Sequence, residues 1–268
     1  MDHKYRILPA LIALALAGPA LAQDEDEDED ELEFDETEIF FELNDTDGDL
    51  GIHALIDGDA WKRLVMERPD GRRQLNVKVI GGLRRQGLTE FFFESAEPTF
   101  DELDPATFFA RFPAGELGVD GVKIYVEEIE GETELTPVMS SPAVVTINED
   151  GAYDTDCDDD EFTEVSAPVT ISWEPVTMSH PDADGPGAGV QPPVPVEIVN
   201  YQVVVEAEFE LDSGEEFASV YSVILPPGVT SVSVPAELLE LTDEFKYEVL
   251  AREASYNQTA VESCFALE

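Results

Sequence analysis

The chain has 268 residues, 14 Lys and Arg against 61 Asp and Glu, and a formal net charge of -47. Such a chain as a whole should repel nucleic acid and anionic membrane surfaces, so neither is expected as a partner. Its 43% hydrophobic content is ordinary for a globular protein, so the acidity is layered onto a core and does not replace one. Its cause is left open by composition: adaptation to salty surroundings, or capture of divalent cations.

Residues 1–22 carry Lys4 and Arg6, then the apolar run "ILPALIALALAG", then "ALA" before Gln23. This three-part pattern predicts a signal peptide cleaved near Ala22 and a secreted or periplasmic protein. The apolar run is too short to span a bilayer, so no membrane insertion is expected. Cleavage removes Asp2, Lys4 and Arg6, leaving 12 basic and 60 acidic side chains. Residues 23–31 follow, with "DEDEDEDE" at 24–31. Eight successive carboxylates offer nothing to bury, which predicts an acidic, disordered tether.

Residues 32–135 form a predicted β-rich N-terminal domain. Short β-type runs alternate with turn signals: "EIFFEL", "GIHALID", "WKRLVME", "RPDGRR", "QLNVKVI" and "GVKIYVEEI". Within "TFDELDPATFFARFP", Asp104 can cap a helix, Pro105 suits its first position and Pro113 stops it. One or two short helices are therefore expected here. Two prolines and small polar residues in "TPVMSSPA", 136–143, mark a domain boundary.

Residues 138–268 carry strand-like runs at sandwich spacing: "APVTISWEPV", "IVNYQVVVEAEF", "FASVYSVILP", "TSVSVPAELL" and "FKYEVLAREA", interrupted by "HPDADGPGAGVQPPVP". "ISWEPV" resembles strand B of a fibronectin type III domain, with Trp173 as its core tryptophan. "YQVVV", from Tyr201, resembles strand C. Leu241, Tyr247 and "YEVLAREASYNQT" are similar to that family's E–F corner and strand F. The resemblance implies a fibronectin type III-like sandwich, enlarged between strands B and C, that serves as a binding or spacing module. The N-terminal domain resembles uncharacterised bacterial secreted proteins that precede such a domain. The expected fold is mainly β: two β-sandwich-like domains, the second fibronectin type III-like.

Two stretches pose a calcium question. "DTDGD" at 45–49 places Asp45, Asp47 and Asp49 at the first three ligand positions of an EF-hand loop. Glycine arrives one place late at Gly51, Ile56 replaces the bidentate Glu, and the flanks read as strands. A polar turn and a non-EF calcium site are the alternatives. "DTDCDDDE" at 154–161 repeats the pattern, and Asp154, Asp156, Asp158 and Asp160 crowd one loop. Either calcium or a high-salt solvent would relieve that repulsion.

Cys157 and Cys264 are the two cysteines of an exported chain and are expected to form a disulfide. Lys62, Arg63, Arg68, Arg72, Arg73, Lys78, Arg84 and Arg85 fall within 24 residues, opposed only by Glu67 and Asp70. They either neutralise acidic surface or form a docking face for an anionic partner, such as an acidic polysaccharide. No HExxH or GxSxG motif supports a zinc protease or serine hydrolase. The expected function is non-catalytic binding or adhesion toward a protein or polysaccharide partner, with calcium as the one candidate cofactor. The alternative is an accessory or hydrolytic enzyme acting on cell-surface polymers through the N-terminal domain.

Overall fold

The computed structural model describes residues 32–125, 127–148, 150–152, 157, 162–182, 185–187, 192–211 and 213–268. The predicted leader and tether lie outside these residues. The protein is mainly β, as its alternating sequence requires.

Strand β1 (Glu36–Asn44) pairs antiparallel with β2 (Asp49–Glu67), from Glu36 opposite Asp57 to Asn44 opposite Asp49. Asn44 Oδ1 accepts from the amides of Thr46 and Asp47 at 3.1 and 3.2 Å, and Gly48 takes φ +66°, which closes the turn. "GIHALID" and "WKRLVME" are not separate strands but the two ends of β2. Gly58 between them turns nothing. A Cβ there would meet Phe34 Cδ1 at 3.0 Å, so glycine admits a crossing chain instead. Register shifts between Asp57 and Arg63 bend β2, and its halves take different neighbours.

The middle of "RPDGRR" is the turn into β3 (Arg73–Lys78), where Arg68 donates to Arg72 O and Gly71 takes φ +72°. Next come α1 (Leu83–Gln86), β4 (Leu88–Glu94) and α2 (Pro105–Arg111). The α2 cap is the expected one: Asp104 Oδ1 accepts from Thr107 N at 2.9 Å, with Pro105 at the first helical position. "GVKIYVEEI" is the bend of a hairpin, joining β5 (Gly115–Lys123) to β6 (Glu128–Leu135) through Lys123 N to Glu127 O.

Strand β2 pairs with β1, β3, β4 and β5, and β5 with β6. Phe34 N donates to Glu130 O and Glu130 N to Leu32 O, so β6 meets the segment leading into β1. The sheet thus curls until opposite walls face across a core that includes Phe41, Trp61, Leu64, Met66 and Leu117, with α2 contributing Phe108 and Phe109. Phe41 sits edge-on to both helix phenyls, centroids 5.4 and 5.3 Å apart.

The second half contains β7 (Val145–Ile147), β8 (Asp150–Ala152), β9 (Thr163–Val165), β10 (Thr170–Trp173), β11 (Ile198–Glu210), β12 (Glu216–Leu225), β13 (Ser231–Ser233), α3 (Ala236–Leu239), β14 (Glu244–Glu253) and β15 (Gln258–Leu267). One sheet runs β13-β10-β7-β8; the other runs β12-β11-β14-β15, with β9 parallel to β15. They face across Ile147, Ile171, Trp173, Tyr201, Val203, Tyr247, Val249 and Phe265. Trp173 packs on Tyr201, whose hydroxyl accepts from Val176 N at 2.9 Å. "TSVSVPAELL" is not one strand. Pro235 ends β13 by fixing φ at -57° and "AELL" is α3.

The two halves share one sheet. β1 runs parallel to β15, with Glu42, Leu43 and Asn44 opposite Gln258, Thr259 and Ala260. The connecting segment is pinned rather than loose. Asn257, wholly buried, accepts from Phe41 N at 2.8 Å and donates to Thr136 O and Val138 O, each at 2.8 Å. Thr259 Oγ1 donates to Ser140 O at 2.9 Å.

Candidate functional site

The face of the shared sheet that turns away from both cores is concave. Phe92 on β4, which pairs with β2 in the first half, and Ile224 on β12 in the second line the same small cavity of about 20 Å³. Alternation puts Phe40 and Glu42 of β1, His53 of β2, Gln258 and Glu262 of β15, and Glu248 and Arg252 of β14 on this face. Glu97, just beyond β4, reaches over it.

His53 is 1% exposed. Its Nε2 lies 2.8 Å from Glu97 Oε1, and its Nδ1 lies 3.8 Å from Glu42 Oε2. Burial disfavours the imidazolium, but the hydrogen bond to Glu97 and the charges of Glu42, Glu97 and Glu94 outweigh it, so the His53 pKa stands above its usual 6.5. Burial raises the Glu42 pKa, opposed by His53 and by the hydrogen bond from Gln258. Glu248 is pushed well above the carboxylate range by burial, then by the charges of Glu42, Glu262 and Glu97. Arg252 pairs with Glu38 and lies 4.9 Å over the rings of Phe40 and Tyr256.

Glu262 is raised to about 7, by burial first and by Asp47 second, against the opposing charge of Lys246. The proton bound on folding gives a signed prediction. With a folded pKa near 7 and an unfolded value near 4.5, the cost of ionising Glu262 is absent below about 4.5 and fully present above about 7. Melting temperature should therefore rise as pH is lowered from 8 toward 5. Glu262→Gln should raise it at pH 8 and flatten this slope; an unchanged slope in scanning calorimetry would refute the assignment.

Asp45 and Asp47 stand in the β1–β2 turn, which docks on the second half, and Asp49 opens β2 opposite Asn44. Asp45 N donates to Ala260 O at 2.9 Å, and the Asp45 carboxylate lies 2.8 Å from His180 Nε2. Thr46 Oγ1 accepts from Glu262 N at 2.9 Å. Among the described residues, the group of His, Cys, Asp and Glu side chains compact enough to share an ion is Glu42, His53 and Glu97. Asp154, Asp156, Asp158 and Asp160 lie outside the described residues. Cys157 is bonded to Cys264 of β15, Cα atoms 5.8 Å apart.

The eight cations are gathered on one arm of β2, β3 and α1. Arg68 and Arg72 meet Asp70 at 3.0 and 3.6 Å, Arg73 meets Glu67 at 3.6 Å, and Lys62 Nζ donates to Ile124 O at 2.9 Å. Arg63 and Lys78 stand opposite each other across β2 and β3, and Arg84 and Arg85 lie exposed on α1. These four have no ion pair among the described residues. Ile80 and Leu83 beside them are 72% and 56% exposed.

Sequence reading found the arm because its residues are contiguous. It passed over Glu42, His53 and Glu97, which 11 and 44 residues separate in the chain.

No family model matches the chain, and no curated protein matches it. Its similarities to solved structures are slight. A structure of a 1.5-MDa bacterial ice-binding adhesin, concerned with host cell surface retention, aligns at TM-score 0.23 and 10% identity over 89% of this chain and 66% of that one. A tetra-tandem repeat in the extending region of a large adhesion protein aligns at 0.25 and 10% over 87% and 50%. A Ca2+-stabilised adhesin with which an Antarctic bacterium binds ice aligns at 0.23 and 13% over 88% and 50%. The chain spans about two thirds of the first and half of the others, and likeness this low assigns neither family nor function.

Proposed function

We propose that this is an exported, non-catalytic binding or adhesion protein that engages an anionic polymer, such as an acidic polysaccharide, through the basic arm. The observation carrying the reading is the segregation of charge. On a chain of net charge -47, eight cations share one arm, and five of them, Lys62 included, have no ion pair among the described residues. A surface that only balanced its own acids would spend its cations on them. Cations left in solvent beside exposed Ile80 and Leu83 suit a partner bearing spaced negative charge and apolar ring faces.

The second half serves as the mount, of fibronectin type III kinship. The distribution of the resembling segments supports this: β10 with β7 and β13 in one sheet, β11 and β14 with β12 and β15 in the other. Export is supported by the Cys157–Cys264 disulfide, which persists in oxidising compartments.

Binding to heparin and to alginate, at 50 mM and 500 mM sodium chloride, tests the reading. Affinity should fall steeply with salt, and Arg84→Glu with Arg85→Glu should weaken it about tenfold or more at low salt. Reversal at a distant pair, Glu215→Lys with Glu216→Lys, should not weaken it. Retention that ignores both salt and the arm variants would overturn the proposal.

A further inference from the structure

The concave face holds features that a docking arm does not need. We infer that Glu42, His53 and Glu97 form a binding site for one divalent transition-metal ion, of the zinc or manganese class, at the seam between the two halves.

The donor set comes first. One imidazole nitrogen and two carboxylate oxygens lie within 4.8 Å of one another, supplied by β1, β2 and the segment after β4. Nitrogen with carboxylate oxygen suits zinc or manganese, whereas calcium and magnesium prefer oxygen alone. The 2.8 Å between His53 Nε2 and Glu97 Oε1 is bridged by a shared proton in the absence of metal. Two ligand atoms that close are also compatible with one ion about 2.0–2.2 Å from each.

The position of Glu97 is built by a glycine. Gly51 lies opposite Glu42 in the β1–β2 ladder. A Cβ on Gly51 would fall 2.6 Å from Glu97 Cγ and closer still to Oε1, so any other residue there would push this carboxylate off His53. Glu248 points independently to a missing cation. It is 8% exposed, has no hydrogen bond among the described residues, and faces the charges of Glu42 and Glu97. Without a hydrogen-bond donor such a buried carboxyl keeps its proton, and a bound cation beside it would be what lets it ionise. Arg252 is committed to Glu38, and the charges that act on Glu248 are those of Glu42, Glu262 and Glu97, so neither Arg252 nor Lys246 supplies the balance. The adjoining cavity of about 20 Å³ has room for one water or one ion.

The ion would couple the halves, because Glu42 also accepts from Gln258 of β15. The site stands apart from the basic arm, so either proposal can fail without the other.

The test uses the full chain, stripped with EDTA and returned to metal-free buffer at pH 7.5. Titration calorimetry with zinc, manganese and calcium chlorides should show one zinc or manganese ion per chain and weaker calcium binding at this site. His53→Gln and Glu97→Gln should each weaken zinc at least tenfold. Gly51→Ala, which leaves all three ligands in the chain, should weaken it in the same direction. Nitrogen-15 spectra of the imidazole should show one His53 nitrogen shifted by zinc, a readout independent of whether a variant folds. No zinc or manganese uptake by the wild-type chain, or uptake that the variants and the His53 resonance do not register, overturns the proposal; the site then holds a proton only.

Discussion

Reduction of Cys157–Cys264 should lower the melting temperature by roughly 10 to 20 °C, the largest effect expected from any single bond in this chain. The bond spans 107 residues. Closing so long a loop removes much of the unfolded chain's freedom, about 4 to 5 kcal/mol in the chain-entropy picture. Cys264 is wholly buried on β15, between Ser263 and Phe265, which are also buried. Reduction should therefore require partial opening or denaturant. The double variant Cys157→Ala with Cys264→Ala isolates the cross-link without burying a hydroxyl. Calorimetry of oxidised, reduced and double-variant protein should place the last two together, well below the first. Thiol titration of the unfolded, unreduced chain should find no free thiol; two per chain would remove the premise.

Asn257→Ala should cost about 3 kcal/mol or more, a large sum for one exchange of modest size. Its amide satisfies three main-chain groups at once: Phe41 N–H on β1, and the carbonyls of Thr136 and Val138 in the connecting segment. Alanine would leave Phe41 N–H without its partner in a buried site, at about 1 to 3 kcal/mol, and would strip two part-buried carbonyls of theirs, where water makes up part of the loss. Asn257→Asp keeps an acceptor for Phe41 but sets carboxylate oxygen against two carbonyl oxygens, so it should rescue little. Urea unfolding followed by tryptophan fluorescence checks this, since Trp61 and Trp173 report separately on the two cores. The variant should unfold earlier, with the halves parting. A midpoint within the range of a surface substitution would show that the connecting segment is held by other means.

Much of the fold is legible in local chemistry. Alternation with turn residues gives the β class, and the Asp104–Pro105 pair gives α2 because an N-cap acts within a few residues. The errors are also local in origin. Gly58 reads as a break when it is a crossing point, and "FFFE" of β4 is easily passed over because it follows the irregular α1 segment. What local pattern cannot carry is the pairing of β1 with β15, whose partners Glu42 and Gln258 are 216 residues apart. The concave face depends on that pairing. Glu42, Glu97 and Glu248 are anonymous among 61 acids until the sheet is assembled, whereas Gly51 gives one faint signal, a glycine at the head of the strand-like run "GIHALID".

The parallel contact between β1 and β15 also sets how the protein would bear mechanical load. If tension entered at Leu32 and left at Glu268, the two strands would be drawn in opposite directions along their common axis. Their cross-strand bonds would be loaded together in shear, whereas a hairpin pulled from its open end breaks one bond at a time. The disulfide from Cys157 to Cys264 would intercept part of that force before it reached Gln258–Ala260, the stretch of β15 paired with β1. Resistance of this kind is governed by the unfolding rate rather than by equilibrium stability. A tethered binding module in moving fluid would hold or fail on that rate.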